Sequence, residues 1–267
     1  MKNSRFYNPQ GGDLRNQDDL SYRTKEFIRG NLPRVYFRGQ SNFKWELIPS
    51  SGRQYSFVGK TVGGLSLIQE RNFLHRFRRR VYAYYNRTLN DWEAFLLARH
   101  HGLPVRLLDW TTNPLVALYN ACCFEKDPEC DGAVWAFLPT DQAPENYLDV
   151  FKEQRSPLEI KGVRIIYPFD VSPRLTVQSS IFTIQQDPLK GLQSYDPIAF
   201  PETDFDIKKI IKWRVPKQCK AHLIVGLDRN GINARTLYPD LDGLARGILQ
   251  TEIVHYGTPV KKKRRLS

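Results

Sequence analysis

At 267 residues, with 41% hydrophobic and 25% charged side chains, the chain is long enough to bury roughly 70–75% of its unfolded surface without staples. Its 40 Lys and Arg against 28 Asp and Glu leave a formal charge of +12. That balance excludes an acidic chaperone or a calcium buffer and points to a polyanionic partner, because neutralised phosphates release counterions. Cys122, Cys123, Cys130 and Cys219 form no C-x-x-C pair, so neither a zinc site nor a disulfide framework is expected, and free thiols fit a reducing cytosol. The opening residues contain no apolar stretch of a secretory leader, and no window nears eighteen uninterrupted apolar residues. A cytoplasmic protein with no membrane partner is expected.

Residues 1–30 are polar, with Gly11-Gly12 and clustered Asp and Asn, and read as a loose arm. Residues 34–38 (RVYFR) predict a strand turning at Gly39, and the Ser- and Gly-rich residues 40–65 a long surface excursion. Ser66 with Gln69 predicts a capping box that opens a helix, with Ile68, Phe73, Phe77, Val81 and Tyr84 as its apolar face. Asn90 with Glu93 opens a second helix that stops at Gly102 and Pro104. Asn113-Pro114 starts a third. Strands are expected at 132–138, 162–167, 180–185 and 207–215, and helices at 217–229 and 240–252. Residues 261–265 (KKKRR) are a like-charge run. The irregular interspersion of strands and helices predicts an α+β fold rather than a doubly wound sheet.

The densest polar constellation is RHHGLPVRLLDWTTN, residues 99–113. Broken by Gly and Pro, it reads as a loop between two helices that aims several side chains at one point. His101 beside Asp109 suits general acid–base work near neutral pH. The same residues also read as a polar network, with Asp109 pairing Arg106 and His100 capping a helix. Arg38, just before Gly39, is placed to set its planar fork against a phosphate. Residues 66–90 carry six arginines against Glu70, with Tyr82, Tyr84 and Tyr85 interleaved. Arg76, Arg78, Arg79, Arg80, Tyr84 and Tyr85 are therefore candidates for binding RNA or single-stranded DNA, and a solvated basic face is the alternative. No metal-ligand spacing is present, so no metal is expected.

Several of these segments resemble one family. Tyr36-Phe37-Arg38-Gly39-Gln40, His100-His101-Gly102-Leu103-Pro104, Arg106-Leu107-Leu108-Asp109-Trp110-Thr111 and Asn113-Pro114 look like the FRG domain, named for its Phe-Arg-Gly element. Arg174 and Gln178 followed by Phe182-Thr183, and the run from Tyr238 to Leu244, extend the likeness over about residues 30–250. Val105 stands where the family usually has Thr, and Arg99 where it often has Gln.

The aromatic-Arg-Gly strand is also similar to the first motif of ADP-ribosyltransferases, where an Arg grips the ribose and phosphates of NAD. That resemblance implies an ADP-ribosyltransferase-like mixed β-sheet core with helical insertions, spanning 31–256 between the polar arm and a basic tail at 257–267. It makes NAD a substrate, held by Arg38, Gly39, Gln40, Tyr36 and Arg106. Thr111, Gln178, Ser179 and Phe182 complete the expected pocket. The strand start Ser179-Ser180 matches the family's Ser-rich element, and Gln250-Thr251-Glu252 its Gln-x-Glu element, with Glu252 as catalytic carboxylate and Asp109 in reserve. The implied function is transfer of ADP-ribose to a nucleic acid, RNA before DNA, in a toxin or phage-defence effector with an antitoxin partner. The alternatives are a metal-independent nuclease using His100, His101 and Asp109, and a non-catalytic nucleic-acid-binding module.

Overall fold

The computed structural model describes residues 7–8, 11–28, 33–123, 129–141, 143, 147–167, 180–201 and 204–253. Its strands are β1 (Tyr7–Asn8), β2 (Tyr36–Gln40), β3 (Tyr55–Phe57), β4 (Lys60–Val62), β5 (Leu107–Thr111), β6 (Gly132–Pro139), β7 (Leu148–Asp149), β8 (Val163–Tyr167), β9 (Ser180–Gln185) and β10 (Ile207–Val215). Eight of them form one mixed sheet in the order β1-β10-β6-β2-β5-β9-β8-β7, and β3 with β4 make a separate hairpin. Only the outermost pairs, β1 with β10 and β7 with β8, run parallel. Seven α-helices are present among the described residues: α1 (Gln17–Ile28), α2 (Leu67–Tyr85), α3 (Asp91–His100), α4 (Pro114–Cys122), α5 (Lys220–Arg229), α6 (Ala234–Leu237) and α7 (Leu241–Thr251).

Strand alternation divides the core into three clusters. On one face of the sheet, α1, α4, α5 and α6 cover Phe37, Val134, Ala136 and Trp213. On the same side, α2 and α3 cover Leu107, Ile166, Phe182 and Ile184. The opposite face carries Tyr36, Leu108, Trp110, Trp135 and Phe137, roofed by loop residues such as Leu47, Leu192 and Tyr195. The two helical clusters meet where β2 lies beside β5. There the ladder has a single registered pair, Phe37 with Thr111, and opens beyond it toward Gly39 and Asp109.

Both expected capping boxes form, at Ser66 and at Asn90, and Asn113 caps α4 with Pro114 behind it. The strands at 180–185 and 207–215 also stand where the pattern puts them. Three expectations are corrected. The loose arm contains α1, and Leu14, Leu20 and Phe27 bury themselves against Trp213 and its neighbours. The loop at 99–113 contains β5, a strand whose Leu107, Leu108 and Trp110 are wholly buried. Val81 and Phe77 pack inward from α2 as expected, but Glu70 and Leu74 join them there while Ile68, Phe73 and Tyr84 are exposed.

The cause of that rotation is an ion pair. Arg106, just ahead of β5, donates from Nε to Glu70 Oε2 at 3.1 Å, again from Nη2, and from Nη1 to the Gln186 carbonyl at 2.7 Å. The two side chains are 4% and 2% exposed. A buried guanidinium requires a carboxylate, so the stripe containing Glu70 turns inward although a hydropathy pattern favours another. Glu70→Ala should strand that guanidinium and cost about 3–5 kcal/mol in urea unfolding, whereas Glu70→Leu with Arg106→Met should restore most of the loss.

Candidate functional site

The open end of the β2–β5 ladder and α4 frame a cleft of about 280 Å³. Its walls include Arg38, Gly39, Gln40 and Ser41, then Trp45 and Arg53, then Asp109 and Thr111, with Asn120 of α4 and Tyr238 opposite. Arg38 fills the fork between the parting strands. Its Nη1 donates to the Asp109 carbonyl at 2.7 Å and to Asp109 Oδ2 at 3.3 Å. Arg99 donates from Nε to Asp109 Oδ1 at 3.2 Å and from Nη2 to Oδ2. One carboxylate thus joins two guanidinium groups, and the charge of Arg53 also acts on Arg38.

Local sequence sets each of these positions. Arg99 sits in the last turn of α3, which ends in a left-handed Gly102 (φ 81°). The Leu103 N–H returns to the Ala98 carbonyl at 2.9 Å and the Gly102 N–H to that of Arg99 at 3.1 Å, a terminus that holds the last turn still. Gly39 is required by close packing: a Cβ there would stand 1.9 Å from the Ala117 carbonyl oxygen of α4. Asp240 caps α7 through the Gly243 N–H at 2.8 Å, and Gly243 leaves no room for a Cβ beside Tyr238. Tyr238 is thereby placed against Asn120, to which its hydroxyl donates at 3.3 Å.

The loop after β2 is anchored by buried cations. Lys212 donates from Nζ to the Trp45 carbonyl at 3.2 Å and to that of Phe43, and Lys220 donates to the Ser41 carbonyl at 2.7 Å. Gln40 accepts from Trp135 Nε1 at 2.7 Å and donates to the Glu46 carbonyl at 3.1 Å.

Electrostatics follow from this crowding. Burial would raise the Asp109 carboxyl, but Arg99 and Arg38 outweigh it and hold the group down at about 2. Burial pulls Arg38 down to about 10 despite Asp109. Arg99 moves up, chiefly through Asp109, and burial brings the Lys212 amine down to about 8. Arg38 Nε is buried without a hydrogen-bond partner.

Of the residues expected around a ligand, Arg38, Gly39, Gln40, Asp109 and Thr111 are brought together. Others are not. Tyr36 lies in the opposite core and donates to the Tyr147 hydroxyl at 3.2 Å. Phe182 is core, and Arg106 is consumed by Glu70 rather than pairing Asp109. His101 is exposed at the end of α3, while the bonds of Asp109 go to arginines. Glu252 is exposed just past α7 and does not line the cleft, and Gln250 beside it is a packing anchor that accepts from the Tyr119 hydroxyl at 2.7 Å. Gln178, Ser179 and the 257–267 tail lie outside the described residues. On α2, Arg76, Arg79, Arg80, Tyr84 and Tyr85 are exposed, whereas Arg78 is paired with Asp91. Trp45, Arg53, Asn120 and Tyr238 were not expected in the site. Tyr238 opens a family-like motif, but Trp45 and Arg53 stand in an aperiodic segment that gives no signal.

Residues 33–130 match the family model of the FRG domain. The match contains β2, α3, β5 and α4, and with them the whole Arg38–Asp109–Arg99 cluster together with Trp45, Arg53 and Asn120. The chain carries an FRG domain. No curated protein and no solved structure matches it. Among the described residues, no helix is long and apolar enough to cross a membrane.

Asp109→Asn should leave the two guanidiniums mutually repelling and destabilise the fold by about 1–3 kcal/mol. Because the folded-state carboxyl lies near 2 and the unfolded one near ~4, its stabilisation is complete above about pH 4 and lost as pH falls toward 2. The urea-midpoint gap between wild type and variant should stay constant from about pH 7 to 5 and close below about pH 4.

Proposed function

We propose that the protein transfers ADP-ribose from NAD to a nucleic acid, with an ADP-ribosyltransferase-like use of its sheet. The observation that carries this reading is the cleft at the open β2–β5 ladder, lined by Arg38, Arg53 and Asp109, with Arg99 bonded to the same Asp109 carboxylate. Three guanidiniums against one carboxylate leave an excess of positive charge suited to a diphosphate, and planar forks bind phosphate oxygens bidentately.

Asp109 takes the role of the carboxylate facing the sugar. Held near 2, it stays ionised at neutral pH and is a poor base, so it acts by charge. As the nicotinamide–ribose bond breaks, its electron pair goes to the nicotinamide nitrogen and positive charge develops on the ribose. The anionic oxygens of Asp109 offset that charge. The acceptor's lone pair then bonds to the same ribose carbon, and its proton leaves to water. The exposed arginines and tyrosines of α2 support a nucleic acid as acceptor, because they offer phosphate contacts beside stacking surfaces.

The test is incubation of the full chain with labelled NAD and separate RNA, single-stranded DNA and protein pools. Label should enter nucleic acid and fall by about 100-fold or more in Arg38→Ala and Asp109→Asn, with Glu252→Gln close to wild type. Label that persists in Arg38→Ala overturns the assignment of the cleft. RNA shortened without NAD, and protected by His101→Ala, makes the protein a nuclease. Salt-sensitive binding without turnover makes it a binding module.

A further inference from the structure

A second cleft of about 640 Å³ adjoins the first and shares Gln40, Trp45 and Arg53 with it. Glu46, Gln54 and the pair Gly63–Gly64 complete the walls that matter here. Trp45 is 40% exposed, whereas the other four tryptophans of the chain are at most 3% exposed. The loop that carries this indole is held through its main-chain carbonyls by two buried lysines, so the backbone that presents Trp45 is fixed. The Arg53 guanidinium is tethered too, donating from Nε to the Ile48 carbonyl at 3.1 Å. It stands at the junction of the two clefts. Gly63 faces open space, with no atom within 4 Å of where a Cβ would be, so its side of the cleft is unobstructed.

We propose that this second cleft seats one base of the single-stranded nucleic acid acceptor, stacked on Trp45, with its phosphate on Arg53. The assignment deepens the transferase reading and rests on it. One feature favours the acceptor strand over the dinucleotide's own adenine. Gly63–Gly64 run directly through Ser66 into α2, whose exposed Arg76, Arg79, Arg80 and Tyr84 continue a basic, aromatic track. At 1.5 Å per residue, the rise from Ser66 to Tyr84 is about 27 Å, room for several extended nucleotides.

The intrinsic fluorescence of the full chain reports on the site, because Trp45 is the exposed indole. Without NAD, ten-nucleotide adenine-rich RNA and DNA single strands should quench it, with binding weakened by rising salt. By anisotropy of a labelled strand, Trp45→Ala should weaken binding by about tenfold or more, whereas Trp45→Phe should stay within a few-fold of wild type. Quenching by NAD but not by oligonucleotide assigns the cleft to the dinucleotide and overturns the proposal. Quenching by neither, or equal oligonucleotide affinity in wild type and Trp45→Ala, also overturns it. NAD consumption lost in Arg38→Ala, measured separately, shows whether the underlying transferase reading stands.

Discussion

The Asp109 carboxylate joins two arginine-bearing elements that would otherwise repel. Arg38 arrives on β2, Arg99 on the last turn of α3, and Asp109 itself on β5. Unit charges about 4 Å apart interact by roughly 4 kcal/mol at the effective dielectric of a protein surface. The sign of that interaction decides whether the open end of the ladder stays assembled. Arg38 also takes the Asp109 main-chain carbonyl, so one side chain replaces a missing rung of the sheet and contributes charge to the cleft.

The surrounding fold spends buried charge on positioning the loop beside the cleft. Burying a lysine is expensive, yet Lys212 and Lys220 are both buried and both spend their donors on carbonyls of the loop after β2. They fix where the chain goes once it leaves Gln40, and so where Trp45 stands. Gly39 lets α4 lie directly on β2, bringing Asn120 to the cleft. Gly243 does the same for the approach to Tyr238.

Much of this was legible in the sequence where the local signal and the tertiary demand agree. The capping boxes at Ser66 and Asn90, the Asn113-Pro114 start and the 207–215 strand need only their own residues. Reading failed where a distant group decided. Glu70 turns inward because Arg106 is buried beside it, and no periodicity within 67–85 contains that fact. Residues 17–28 look like a polar arm because Leu20 and Phe27 are few, and their burial depends on Trp213. Gly102 and Pro104 made 99–113 resemble a loop, although Leu107, Leu108 and Trp110 are strand residues. In the site, Arg38 and Asp109 were visible as charges beside Gly and aromatic residues. Their joining with Arg99 on one carboxylate was not, since Asp109 binds a residue 71 positions away in one case and ten in the other.

Calorimetric titration of ADP-ribose into the full chain, at low and high salt, examines the arginine cradle without requiring turnover. Saturable binding that weakens as salt rises, is lost in Arg38→Ala and is kept in Glu252→Gln is the expected result. Equal affinity in wild type and Arg38→Ala would mean that the guanidinium at the end of β2 only props the sheet, and the cleft would no longer be a diphosphate site.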